Sequence, residues 1–120
     1  MAQHNDLGNK GEQIATRYLV TKGYNIVSLN WRANRKEIDI IAIHEGVIVF
    51  IEVKTRSSSY FDSPENSVTK SKQRLLISAA NLYLKKNNIE MDARFDIISI
   101  VCNSREPVIN HIESAFYPTL

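Results

Sequence analysis

Apolar and polar positions recur along this chain with two different periods. Leu7, Gly11, Ile14, Ala15, Tyr18 and Leu19 keep helical spacing, which predicts a first helix over residues 6–22. Asp6 suits its N-cap and Gly23 a stop just past its end. Gly8, Gly11 and Ala15 would let this helix approach a sheet closely. Residues 25–31 (NIVSLNW) read as a strand, and residues 37–44 and 47–55 as a hairpin turning at Glu45-Gly46. SSSYFDSPENS, residues 57–67, reads as a loop from its Ser, Pro and Asn content. A second helix is predicted over 68–86, with Val68, Leu75, Ala79 and Leu82 on one stripe and its end near Asn87-Asn88. Residues 94–102 (RFDIISIVC) and 108–113 (VINHIE) read as closing strands, with Glu106-Pro107 in the turn between them. This order predicts an α/β fold, a mixed central sheet flanked by helices, in a single domain over residues 1–120.

The hairpin EIDIIAIHEGVIVFIEVKTR carries charges inside its strands. With Glu45-Gly46 as the central turn residues, residues whose numbers sum to 91 face each other. Asp39 then falls opposite Glu52, and Glu37 opposite Lys54. Alternation puts Asp39 on the face of Ile41 and Ile43, and Glu52 on that of Ile48, Phe50 and Lys54. Opposed β-carbons lie about 4.5–5.5 Å apart, and two partly buried carboxylates at that distance do not both ionise without compensation. A divalent cation compensates them, because magnesium takes one or two carboxylates together with water and phosphate oxygens. Lys54 lies about 6.6 Å of strand rise beyond Glu52, within reach of a bound water or phosphate oxygen. This is the equipment of phosphodiester hydrolysis. From spacing alone a surface ion pair on an edge hairpin remains the other reading. The register decides between them, since a slip of one residue sends Asp39 and Glu52 to opposite faces.

Composition narrows the setting. The hydrophobic fraction is 43% and the net charge +2, too small to signal nucleic-acid binding by itself. Its distribution says more. Arg32, Arg35 and Lys36 cluster before the hairpin, and Lys54, Arg56, Lys70, Lys72 and Arg74 follow within and after it. Local basic patches of this kind steer a phosphate backbone. Cys102 is the only cysteine, which excludes an intrachain disulfide and suits a reducing compartment. No apolar run is long enough for a membrane span, and MAQHNDLGNKGEQ has no signal-peptide core. A cytoplasmic protein with no membrane partner is expected. His4, His44 and His111 show no metal-ligand spacing, and no nucleotide-binding glycine loop or serine or cysteine nucleophile is apparent.

Asp39, followed after twelve residues by Glu52-Val53-Lys54, resembles the D…E-x-K signature of the PD-(D/E)XK nucleases. Ile38 stands where that signature has its proline. A wider resemblance covers nearly the whole chain. LGNKGEQIATRYL, GYNIVSLNWR, EIDIIA, VFIEVKTR, the Pro64…Val68…Lys72 spacing, RFDIISI and HIESAF are similar, in order, to the YraN-like uncharacterised protein family. That family looks restriction-endonuclease-like and is closest in pattern to Holliday-junction resolvases. The resemblance implies an αβββαβ core, Mg²⁺ or Mn²⁺, a nucleic-acid substrate, DNA above all, and a homodimer by analogy. It implies Glu12, Asp39 and Glu52 as metal-binding carboxylates and Lys54 as the catalytic lysine. A non-catalytic nucleic-acid-binding or adaptor protein on the same fold is the alternative.

Arg32, Arg35, Arg56 and Lys72 are the expected nucleic-acid contacts, Lys72 reaching a phosphate from the second helix, with Gln73 a weaker candidate. Glu37 is expected to pair with Lys54 or a nearby arginine. Asp96 reads as a structural hydrogen-bond acceptor. Trp31 reads as packed, Tyr60 as able to stack on a base, and the three histidines as surface or packing residues.

Overall fold

The structure is a computed structural model that describes residues 6–57, 68–102 and 106–118. The elements run α1 (Asp6–Thr21), β1 (Asn25–Ala33), β2 (Lys36–His44), β3 (Val47–Arg56), α2 (Lys70–Lys86), β4 (Asp92–Val101) and β5 (Val108–Phe116). The five strands form one sheet in sequence order. Every neighbouring pair is antiparallel except β3–β4, which α2 joins as the crossover that a parallel pair requires. This is the expected αβββαβ arrangement with a further strand at the edge.

The helices cover opposite faces of the sheet. On the α2 face, Leu76, Ala79, Ala80 and Tyr83 pack with Ile38, Ile41, Ile48, Phe50, Phe95 and Ile97. On the α1 face, Ala15 and Leu19 pack with Ile40, Ala42, Val49, Ile51, Ile98 and Ile100. A strand covered on both faces becomes a continuous apolar run, so β3 is buried without interruption from Ile48 to Glu52. Glu52 is thus a carboxylate within core sequence, 5% exposed.

Local chemistry explains the boundaries. Gly23 ends α1 with φ 92°; its N–H bonds to Val20 O, and that of Tyr24 to Leu19 O, the 6→1 closure of a glycine-terminated helix. Both central residues of the β2–β3 turn, Glu45 (φ 52°) and Gly46 (φ 81°), take the left-handed conformation of a tight hairpin turn. A second such turn, Asn34-Arg35, joins β1 to β2 with φ of 53° and 66°. It lengthens β1 beyond Trp31 and was hidden because Arg35, unlike glycine, has no preference for positive φ. The final strand also runs past residue 113, through an irregularity at Ser114 (φ 51°) to Phe116, which pairs with Phe95.

α2 begins later than its periodicity suggests. Thr69 caps it, its hydroxyl accepting the Lys72 N–H at 3.2 Å, and the buried Val68 precedes the cap. Val68 and Ala79 are buried as expected, but Leu76 and Tyr83 enter the core in place of Leu75 and Leu82, and Leu75 is 57% exposed. Lys72 therefore sits one turn ahead of Leu76, on the side of α2 that meets the sheet. Trp31 packs edge-on against Tyr83 as expected, with ring centroids 5.2 Å apart.

One polar cluster ties four elements together. Asp96, fully buried, accepts two hydrogen bonds from Arg94 (2.9 and 2.8 Å), one from His111 Nε2 (2.7 Å) and one from the Ser114 N–H (3.0 Å). An ionised carboxylate only accepts, so the His111 proton lies on Nε2, and in the neutral ring Nδ1 accepts from Tyr18 at 3.0 Å. Arg94 also donates to the Tyr24 hydroxyl (2.6 Å), and Tyr24 stacks on His44 at 4.0 Å. Asp96 is the structural acceptor expected from its strand position. His44 and His111 act as packing and hydrogen-bonding residues.

No helix among the described residues is long and apolar enough to cross a membrane.

Candidate functional site

The β2–β3 pairing keeps the expected register, with numbers summing to 91, from His44–Val47 to Ile40–Ile51. There it stops. Asp39 does not form the next backbone pair with Glu52; its carboxylate instead accepts the Val53 N–H at 2.8 Å. The β1–β2 ladder also skips Asp39, where Asn30 takes φ 53°. Ile38 and Ile41 both join the α2-side core, so strict alternation breaks between them. The strands splay around Asp39, and the direct opposition read from the register is replaced by a side-chain bridge to the next backbone N–H. Glu37 consequently does not face Lys54. It pairs in the ladder with Arg32, whose guanidinium lies 3.5 Å from its carboxylate.

Two clefts meet at this splay, and Asp39 lines both. One, of about 140 Å³, is bounded by Arg35, Lys36, Glu37, Asp39, Glu52, Lys72 and the two leucines Leu75 and Leu76. The other, of about 380 Å³, is bounded by Gly8, Asn9, Glu12, Asn30, Arg32, Glu37 and Asp39. Glu12 thus reaches Asp39 from α1, and Glu52 reaches it from β3. Lys72 Nζ lies 2.8 Å from Glu52 Oε2. Lys54, expected beside Glu52, is exposed and lines neither cleft. Arg35 and Lys36 arrive at the Asp39–Glu52 cleft through the unforeseen Asn34-Arg35 turn. Arg56 is half-buried at the end of β3, opposite Val101, and lines neither cleft. Tyr60 lies outside the described residues.

The electrostatics single out Asp39. Burial first, then the charge of Glu52, raise its pKa to about 8; the Val53 N–H opposes this, and Glu12 and Glu37 add to it. Burial also raises Glu12, with an Asn30 hydrogen bond opposing and Glu37 and Glu52 adding their repulsion. Lys72 is raised mainly by its hydrogen bond to Glu52. Asp96 is the natural comparison. Both aspartates lie where a ladder breaks, and both accept a backbone N–H there. Burial alone would raise Asp96 too, but His111, Arg94 and the Ser114 N–H outweigh it and hold its carboxyl below the usual range. Asp96 is neutralised by its neighbours, whereas Asp39 is surrounded by other carboxylates. A carboxyl in a cleft whose ionisation is opposed by burial and by neighbouring carboxylates is a candidate functional residue.

The donor set can be tested against a divalent cation. Among the described residues no three His, Cys, Asp or Glu side chains come together as a metal cluster; Glu12 acts on Asp39 through its charge. Magnesium does not require such a cluster: one or two carboxylates, with water and substrate oxygens, suffice. Asp39 and Glu52, two acidic side chains on one cleft, fit that requirement, Glu52 being paired with Lys72.

Two further residues belong to this arrangement. Asn30 holds the Glu12 carboxylate; an asparagine inside a strand pattern, poorly suited to β structure and tolerant of positive φ, was the available signal. Gly11 is the other. A β-carbon there would fall inside the Thr55 side chain of β3, so only glycine lets α1 approach closely enough to bring Glu12 to the site. Gly11→Ala is expected to destabilise the protein by about 1–3 kcal/mol, the usual cost of overpacking. Urea unfolding would measure it, and combination with Thr55→Ala should recover part of the loss.

The chain matches the family described as uncharacterised protein family UPF0102 over residues 11–100. It is 43% identical over 120 residues to a UPF0102 protein of Phocaeicola vulgatus, an alignment covering 100% of this chain and 99% of that protein. It is 46% identical over 117 residues to one of Flavobacterium psychrophilum, covering 98% of each. A UPF0102 protein of Porphyromonas gingivalis is 41% identical over 118 residues, covering 97% of this chain and 87% of that protein.

Proposed function

The chain belongs to the UPF0102 family, the YraN-like family its motifs resemble, and we propose that it is a metal-dependent endonuclease hydrolysing phosphodiester bonds in DNA, including branched or otherwise structured DNA. The observation that carries this reading is the convergence of Asp39 and Glu52 on one cleft, where burial and Glu52 oppose the ionisation of Asp39. Asp39 and Glu52 would hold Mg²⁺ or Mn²⁺. When bound, such an ion polarises a phosphate oxygen and lowers the pKa of a coordinated water.

The remaining roles belong to the chain's own residues. Glu12, held by Asn30, adds negative charge on the α1 side and increases the demand for a cation at Asp39. Arg35, Lys36 and Lys72 rim the Asp39–Glu52 cleft and suit the phosphate backbone, and Arg32 rims the neighbouring one. Lys54 is the motif lysine two residues past Glu52. Its side chain is exposed, and on substrate binding it would steady developing charge. Arg56 would extend the basic rim along β3.

The experiment is a cleavage assay on linear, flapped and four-way-junction DNA with Mg²⁺ or Mn²⁺. It compares wild type with Asp39→Ala, Glu52→Ala and Lys54→Ala. The wild type should cut at least one substrate and the variants should not. If the variants cut as well as the wild type, these residues are not the catalytic set. A second reading, a nucleic-acid-binding protein without catalysis, draws on one observation: Lys54 lines neither cleft while Lys72 already occupies Glu52. Wild-type protein that binds these DNAs in Mn²⁺ but cuts none of them would favour it.

A further inference from the structure

We propose that Lys72 is an exchangeable counter-ion of the carboxylate site: its ammonium holds Glu52 in the free protein, leaves when a divalent cation arrives, and then binds nucleic-acid phosphate. The inference rests on the metal-binding reading of Asp39 and Glu52 given above. It adds a competition and a coupling that the reading does not contain.

The two ends of the Lys72–Glu52 pair differ in freedom. Glu52 lies in the doubly covered part of β3, and its side chain is 7% exposed; that of Lys72 is 54% exposed. The carboxylate is the fixed member and the ammonium the movable one. The backbone of Lys72 is itself held, since Thr69 caps the helix by accepting the Lys72 N–H and Leu76 anchors the next turn in the core. Movement is therefore confined to the four-carbon stem, which swings from a fixed root at the cleft edge.

An ammonium and a small divalent cation seek the same carboxylate oxygens, and they repel each other. Lys72 Nζ sits 2.8 Å from Glu52 Oε2, on the cleft that Asp39 also lines. A divalent ion held by Asp39 and Glu52 would displace it. Arg35 and Lys36 rim the same cleft, so the released ammonium would join an existing basic border. A phosphate there rewards the released state, which lowers the cost of displacing Lys72. Metal and nucleic acid then each tighten the binding of the other, since coupling between two ligands is reciprocal.

The first test is isothermal titration of Mn²⁺ alone into wild type, Lys72→Met, Lys72→Arg and Lys70→Met. Lys72→Met should bind Mn²⁺ about fivefold or more tightly, the order set by loss of one competing ion pair with a buried partner. Lys72→Arg, which keeps a competing cation, and Lys70→Met, which removes a neighbouring exposed charge, should stay close to wild type. If wild type binds Mn²⁺ and Lys72→Met binds it no better, the exchange is disproved while the metal site stands. If Lys70→Met gains as much as Lys72→Met, bulk charge is responsible and the exchange is again disproved. If wild type and Lys72→Met both fail to bind Mn²⁺, the metal reading falls and takes this inference with it. The second test is anisotropy of a labelled DNA duplex. Lys72→Met should weaken binding in the presence of Mn²⁺ and leave it unchanged without, because the wild-type lysine is engaged with Glu52 when no metal is bound. An equal loss under both conditions overturns the proposal.

Discussion

Asp39→Asn is expected to yield a protein more stable than wild type at pH 8 and slower at cutting DNA by roughly a thousandfold, the several kcal/mol that metal-assisted charge stabilisation contributes. The two effects share one cause. Asp39 sits among Glu52, Glu12 and Glu37, and its pKa is raised from 3.8 to about 8. The folded protein keeps a proton there that the unfolded chain loses near pH 4. Stability therefore falls as pH rises from about 4 towards 8 and is level beyond that. Asparagine fills the same volume, can accept the Val53 N–H through its carbonyl oxygen, and carries no charge. The variant should match wild type at pH 4 and exceed it by about 1–3 kcal/mol at pH 8, a gain typical of removing an unfavourable buried charge. Urea unfolding across that pH range checks the sign. Mn²⁺ should raise the melting temperature of wild type at pH 8 and leave that of Asp39→Asn in place. A variant that is less stable than wild type at pH 8 would show that the carboxylate serves the fold.

Asp96→Ala is expected to have the opposite effect, costing about 3–5 kcal/mol, as breaking a buried charge network by removing one partner does. It would leave the Arg94 guanidinium, His111 Nε2 and the Ser114 N–H without their acceptor, all from one fully buried position. β4, β5, α1 and the start of β1 would lose their common joint. Because Asp96 is held below its usual range, its stabilisation is complete above about pH 4, the unfolded value, and is lost as pH falls through the lower folded value. Asp96→Ala should therefore flatten the acid limb of the stability profile. Asp96→Asn retains one acceptor and should lose less. Far-ultraviolet circular dichroism with urea titration at pH 3 and pH 7 separates these outcomes.

The contrast between the two aspartates shows how far pattern carries. The apolar periods placed both helices and all five strands, because a helix face and a strand alternate with characteristic spacings in any tertiary setting. The hairpin register was legible because Glu45-Gly46 and the flanking alternation leave little freedom. The hairpin register drew Asp39 and Glu52 out of thirteen acidic residues, and the family resemblance added Glu12 to them. The assignment of Asp96 to structure followed from its place inside an apolar strand.

Contacts between distant segments were beyond that reading. Periodicity alone put Leu75 in the core, and only packing of α2 on the sheet selects Leu76 instead. That rotation brings Lys72 to Glu52, while Lys54, two residues from Glu52 in sequence, stays in solvent. The Asn34-Arg35 turn, which carries Arg35 and Lys36 to the cleft, has no glycine to announce it. The bond from the Val53 N–H to Asp39 depends on strands that separate where regular pairing would continue.

By itself, then, the sequence determined the order of elements and the register of the central hairpin up to Ile40–Ile51, because these follow from local periodicity and turn chemistry. Tertiary structure alone decided which lysine meets Glu52, how Gly11 and Asn30 deliver Glu12, and why Asp96 is satisfied while Asp39 is not. Those outcomes depend on the distances between charges far apart in the chain, and such distances exist only once the helices have packed on the sheet.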